Sequence, residues 1–186
     1  IAIFLYSASL YVRLRYRFIL AYCVSTIALM ACGLAWTGTV MKIWPSVRLI
    51  DQISVMLLIV PVYALAVILF MLTFIEKSRL SRGLVAFTLG CAGVACLAGL
   101  VRFIDVTFAW QAVDNIYYAG LGATFPAMLL VAWNAWRRGS QAAGYYLLIW
   151  SVPVVLGFLR VLWGKGFVGE DSLLAVISPI FIMVIE

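Results

Sequence analysis

The sequence predicts an all-α membrane protein: a bundle of seven transmembrane helices with the N-terminus outside, the C-terminus cytoplasmic, and truncated first and last helices. Three observations carry this. Of 186 residues, 67% are apolar and only 11% charged, and the mean hydropathy is +1.16. A soluble domain carries roughly 45–50% apolar and about 25% charged residues, and a body this small has too little interior to hide the excess. The apolar residues fall into seven runs, and the charges lie in the gaps between them. A cytosolic enzyme, a disordered tail and a secreted disulfide scaffold are excluded together.

Crossing a hydrocarbon core about 30 Å thick takes about 20 apolar residues at 1.5 Å each. The runs are 1–12, 18–36, 52–75, 83–101, 115–136, 142–163 and 172–186. The five inner runs have spanning length. The first and last would reach only about 18 and 22 Å. Because the chain opens without methionine and stops at Glu186 within an apolar run, a window cut from a larger protein is expected, with half-length or re-entrant helices as the alternative.

The net charge of +6 resembles a nucleic-acid signal only until the charges are placed. Arg13, Arg15, Arg17, Lys77, Arg79, Arg82, Arg137 and Arg138 fall in three short connections, whereas Lys42, Arg48, Arg102, Arg160 and Lys165 fall in the others. Asp51, Asp105, Asp114, Glu170 and Asp171 gather on the second side, and Glu76 lies with the first. Basic residues near helix ends stay cytoplasmic, which sets the expected orientation. Tyr11, Tyr16, Trp36, Trp44, Trp110, Trp136, Tyr145 and Trp163 border the spans as an interfacial belt would, and Tyr117 and Tyr118 fit an outer belt. The basic clusters suit topology and anionic lipid better than nucleic acid.

The spans hold little chemistry. Arg160 reads as a snorkelling side chain, or as the partner of Asp105, Asp114 or Glu170 in an outer cavity. Asp51 and Arg102 are boundary residues, and Asn134 lies near the inner end of the fifth span. In the fourth span Ala86 and Gly90, Ala92 and Cys96, and Ala95 and Gly99 are spaced four apart, which predicts close helix packing; Gly120, Gly122 and Ala123 do the same in the fifth. Pro61, Pro126, Pro153 and Pro179 each interrupt a span, leaving room for a ligand or for movement. Cys23, Cys32, Cys91 and Cys96 read as small apolar fillers.

The chain has no histidine. Histidine-ligated metals and haem, His-dependent triads and HExxH chemistry are therefore out. No aspartate pair lies within the spans, residues 172–186 offer no lysine for retinal, and no phosphate-binding glycine loop or ion-selective filter is present. No catalytic residue, cofactor or metal is expected. Placement makes Trp110, Asp114, Tyr117, Tyr118 and Arg160 the candidates for an outer cavity.

The order of the motifs carries a likeness. Phe4-Leu5-Tyr6 to Leu10-Tyr11, the turn Arg13-Leu14-Arg15-Tyr16-Arg17 and Leu20-Ala21-Tyr22 come first. Gly33-Leu34 and Ile43-Trp44-Pro45 follow, then Phe74 to Leu80, then Arg138-Gly139 running to Trp150. Gly164, Gly166-Phe167 and Ile177 to Glu186 close the series. Together they resemble the membrane module of bacterial seven-transmembrane receptors with diverse intracellular signalling modules, the 7TMR-DISM family. Gly144 stands where the family pattern has arginine, and Ile149 where it has alanine.

The resemblance implies a signal-transduction module in the bacterial inner membrane. An extracytoplasmic sensing domain would precede it, and a cytoplasmic output domain such as a diguanylate cyclase, histidine kinase or phosphatase would follow. Membrane lipids and those flanking domains are the expected partners, with a homodimer open. A passive anchor for a cytoplasmic enzyme and a small-solute transporter subunit are the alternative readings.

Overall fold

The computed structural model describes residues 17–36, 49–104 and 110–164, with backbone alone at 17, 35–36, 49–53, 110, 160 and 163–164. The expected first and last spans, 1–12 and 172–186, lie outside the described residues, as do Asp105, Glu170 and Pro179. Five α-helices are described: α1 (Arg17–Trp36), α2 (Leu49–Phe74), α3 (Arg82–Ile104), α4 (Trp110–Arg137) and α5 (Gln141–Gly164). A single 3₁₀ turn, Lys77–Arg79, lies between α2 and α3. Four of these helices are long and apolar enough to cross a bilayer, and Phe18–Leu34 is a shorter apolar helix. The molecule is thus an all-α, multi-span membrane bundle.

Helix α4 begins at Trp110, five residues ahead of the apolar run that marks it in the sequence. Hydropathy stops at Ile116, but Gln111, Asp114 and Asn115 continue the helix beyond the oil, where nothing obliges the backbone to unwind. In α3 the helix runs past Val101 to Ile104 for the same reason.

Successive helices pack against one another, and α2 also reaches α4 and α5. The pairs run antiparallel. Phe18, near the start of α1, meets Phe74 at the end of α2 with ring centroids 6.3 Å apart. One end of the bundle therefore gathers the start of α1 and both short connections, 75–81 and 138–140. We call it the basic end. The far end gathers the C-terminus of α3, the start of α4 and the C-terminus of α5.

Two apolar clusters fill the interior. The larger, nearer the basic end, holds Ile68, Met71, Ile75, Met128, Val131 and Tyr146. Within it Phe70 is an aromatic junction: its ring lies 5.6 Å from Tyr22, 5.6 Å from Phe74 and 5.9 Å from Trp150. Tyr146 stacks on Trp150 at 5.8 Å, so α1, α2 and α5 are joined through rings. The smaller cluster, toward the far end, holds Ala64, Ala95, Ala98, Tyr117, Leu121 and Val161. Large apolar side chains also point outward, among them Leu148, Ile104 and Leu97. In water such a surface would drive aggregation; in a bilayer it is the lipid-facing wall.

Small residues set the helix spacing, though only part of the expected set does so. A Cβ added to Gly99 would sit 2.6 Å from the Leu57 carbonyl oxygen, so α2 and α3 nearly touch there. At Gly120 it would meet the Cys91 carbonyl oxygen at 3.0 Å, which draws α3 and α4 together. Thr88, Ala92, Ala95 and Gly99 form the buried stripe of α3. Ala86 and Gly90 are instead exposed, and Gly90 has open space where a side chain would be. At 3.6 residues per turn, positions 88, 92, 95 and 99 share a face, and 86 and 90 fall on the opposite one. The pairs spaced four apart therefore divide between the two faces.

Buried hydroxyls bond to their own helix: Thr88 donates to the Leu84 carbonyl at 2.8 Å, and Thr124 to the Gly120 carbonyl at 2.7 Å. Such back-bonding satisfies the hydroxyl without a partner helix. Pro61, Pro126 and Pro153 lie inside α2, α4 and α5.

Candidate functional site

At the far end, Arg102 in the last turn of α3 and Asp114 in the second turn of α4 form an ion pair, Nε to Oδ1 3.4 Å. The Arg102 side chain is 11% exposed and that of Asp114 32%. Helix continuation places both groups: α3 carries Arg102 past its apolar stretch, and α4 starts early enough to bring Asp114 level with it. A charge held against the apolar zone is costly unless paired, so both partners gain from the contact.

One turn further into the membrane, Tyr117 is 3% exposed, packed among Ala64, Ala95, Ala98, Leu121 and Val161. It is an interior residue, which corrects the expectation that it belongs to an interfacial belt. Helix rotation explains this: Tyr117 follows Asp114 by three residues and so faces α3, while Tyr118 lies 100° further round, only partly buried. The two rings meet edge to face, with centroids 5.3 Å apart at 89°.

Of the five candidate cavity residues, Asp114, Tyr117 and Tyr118 thus share the first turns of α4. The backbones of Trp110 and Arg160 belong to the far-end portions of α4 and α5, and their side chains lie outside the described residues. Asp114, weighed in the sequence as a partner for Arg160, has Arg102 as its partner. The pairing had one sequence signal: Arg102 and Asp114 are the charges closest to the membrane on either side of one short connection.

At the basic end a second set of contacts joins the two connections. Helix α4 ends in a Schellman arrangement, with Gly139 N–H bonded to the Trp136 carbonyl at 2.8 Å and Ser140 N–H to the Ala135 carbonyl at 3.1 Å. Gly139 adopts φ +88°, the left-handed conformation that this motif needs. Ser140 then caps α5, its Oγ accepting from the Ala143 N–H at 3.2 Å. The Ser140 hydroxyl donates to the Glu76 carboxylate, and Arg79 donates to the Arg138 carbonyl. The hydrogen bond from Ser140, the backbone N–H of Glu76 and the charge of Arg79 hold the Glu76 carboxyl below the usual carboxylate range.

Gly144 lies opposite Trp136, whose ring would be 3.0 Å from an added Cβ. The indole therefore occupies the place that the arginine of the resembling pattern would contest. Asn134 is half-buried nearby, and its Oδ1 has no hydrogen-bond partner among the described residues.

Neither set of contacts amounts to a reaction centre. The far end offers an ion pair and two phenols, the basic end a capped turn among arginines, and no three metal-ligating side chains converge among the described residues. What both can do is fix helices to one another. The chain belongs to the 7TM diverse intracellular signalling family, whose model matches residues 1–186. No curated protein and no solved structure matches it. As a member, the chain is a signal-transduction module that is not itself catalytic.

Proposed function

We propose that the chain is the seven-helix transmembrane module of a bacterial inner-membrane receptor, its N-terminus outside and its C-terminus cytoplasmic. It relays an extracytoplasmic signal to a cytoplasmic output domain such as a diguanylate cyclase or histidine kinase. The family match over the whole chain carries this reading. The charge distribution supports the orientation, since the basic end would face the cytoplasm.

In this reading the far end is the receiving side. Trp110, Asp114, Tyr117, Tyr118 and Arg160 frame an outer cavity, and the Arg102–Asp114 pair sets how α3 and α4 lie there. A signal acts only by favouring one helix arrangement over another. A ligand or sensing domain that competes for either partner of the pair would supply that preference.

The test uses the native-length protein. Reporter tags near positions 14, 78 and 139 are expected to read cytoplasmic. Exchanging the bundle for an unrelated multi-span anchor is expected to abolish regulation while leaving basal output. Regulation that survives the exchange would make the bundle a passive anchor, and any tag on the far side would overturn the orientation.

A further inference from the structure

The two connections at the basic end bring Lys77, Arg79, Arg82, Arg137 and Arg138 to one region, all exposed. Glu76 is the one acidic residue there among the described residues, and Ser140 already occupies its carboxylate. Five cations against one engaged carboxylate leave a strongly positive rim. Trp136 and Tyr145, exposed to 47% and 62%, flank this rim. Such rings settle at the headgroup level, which puts the cations at lipid-phosphate depth.

Below the rim runs the seam between α4 and α5. Trp136 lies against Gly144, so its indole fills the space between the two helices there. Moving into the bilayer from that contact, Trp133 and Leu130 on α4 and Leu148 and Val152 on α5 lie on the outward side of the two helices, away from their buried faces. All four are exposed. Trp133 and Trp136 keep their rings 5.0 Å apart and form one wall. An apolar track thus leads away from a cationic mouth, the shape of a lipid with a charged head.

We propose that the outward face of this helix pair, below the rim, is a specific site for an anionic glycerophospholipid. Arg137 and Arg138 hold the phosphodiester at the rim, and an acyl chain lies along Trp133, Leu130, Leu148 and Val152. Guanidinium groups suit the task because their planar fork matches two phosphate oxygens at once. Diffuse attraction to an anionic leaflet would be shared by every basic turn; a site differs in coupling headgroup charge to contact with this tryptophan pair. The assignment stands independently of the signalling reading, since it needs only a bundle that spans a bilayer.

The experiment places the protein in phosphatidylcholine nanodiscs containing a minor share of a lipid with brominated chains, either phosphatidylglycerol or phosphatidylcholine. Brominated phosphatidylglycerol is expected to quench tryptophan fluorescence more than brominated phosphatidylcholine at equal content. The excess is expected to disappear in W133F/W136F and in R137Q/R138Q. Equal quenching by the two lipids in the unaltered protein would overturn the site, as would an excess that survives either double variant. Should R137Q/R138Q fail to insert, the unaltered protein and W133F/W136F still decide the matter, because neither changes a charge. Glycerophosphoglycerol, the headgroup without chains, is expected to leave the excess in place; its loss would assign the cations to a soluble phosphate and overturn the lipid.

Discussion

Arg102 Nε and Asp114 Oδ1 lie 3.4 Å apart and join the end of α3 to the start of α4. Each is the only charged residue in the described far-end turns of its helix whose side chain is placed, and each sits where hydration is incomplete. Removing one leaves the other poorly compensated. R102Q and D114N are therefore each expected to lower the thermal stability of the purified protein, and the double variant to fall short of the sum. The coupling energy is expected to be about 0.5–3 kcal/mol, as for directly interacting side chains. A double-mutant cycle in detergent measures it, and strict additivity would show that the pair contributes nothing to holding the helices.

The Ser140 hydroxyl serves two partners, capping α5 and bonding to Glu76. S140A is expected to cost about 1 kcal/mol from the lost cap alone. S140G tests the cap separately, since glycine is tolerated at that position far better than alanine. Chemical unfolding of the three proteins side by side gives the comparison.

Glu76 gives that joint a pH dependence. Because its carboxyl is held below the ordinary range in the folded chain, the carboxylate contributes stability fully above the ordinary value. That contribution is lost as pH falls through the lowered folded value. Thermal melts between neutral and strongly acidic pH are expected to show an acid limb that E76Q reduces. An identical limb in E76Q would place the acid sensitivity elsewhere.

Two glycines of α3 make opposite predictions. Gly99 faces the Leu57 carbonyl, backbone that cannot swing aside, whereas Gly90 faces open space. G99A is expected to cost about 1–3 kcal/mol through forced separation of α2 and α3. G90A is expected to be neutral or to gain up to about 1 kcal/mol from helix propensity. Loss at both positions would mean that Gly90 also meets a neighbouring helix.

The helices were legible because membrane spans advertise themselves: with no water to satisfy the backbone, a long apolar run can only be helical. Their ends were less so. Hydropathy registers where oil stops, and α4 continues outward through Asp114 and Gln111 because polar residues are as free to be helical as apolar ones. The small-residue pattern of α3 announced close packing but not which of two stripes packs, because Ala86 and Gly90 have the same spacing as Ala95 and Gly99. Tyr117 and Tyr118 looked alike in sequence, and only rotation about α4 separates the buried ring from its half-buried neighbour. The basic end held a subtler signal. Arg138-Gly139-Ser140 reads as a turn, but the bond from Ser140 to Glu76 spans 64 residues of sequence and leaves no local trace.

Ser140 ends one helix and starts the next, with no slack residue between the closing motif of α4 and the first turn of α5. Two rods joined through so short a coupling cannot twist separately; turning either one must carry the other along. A tilt imposed on α4 at the far end would thus arrive at the opposite face of the bilayer as a displacement of the whole hairpin, and through Glu76 it would tug on the neighbouring hairpin as well.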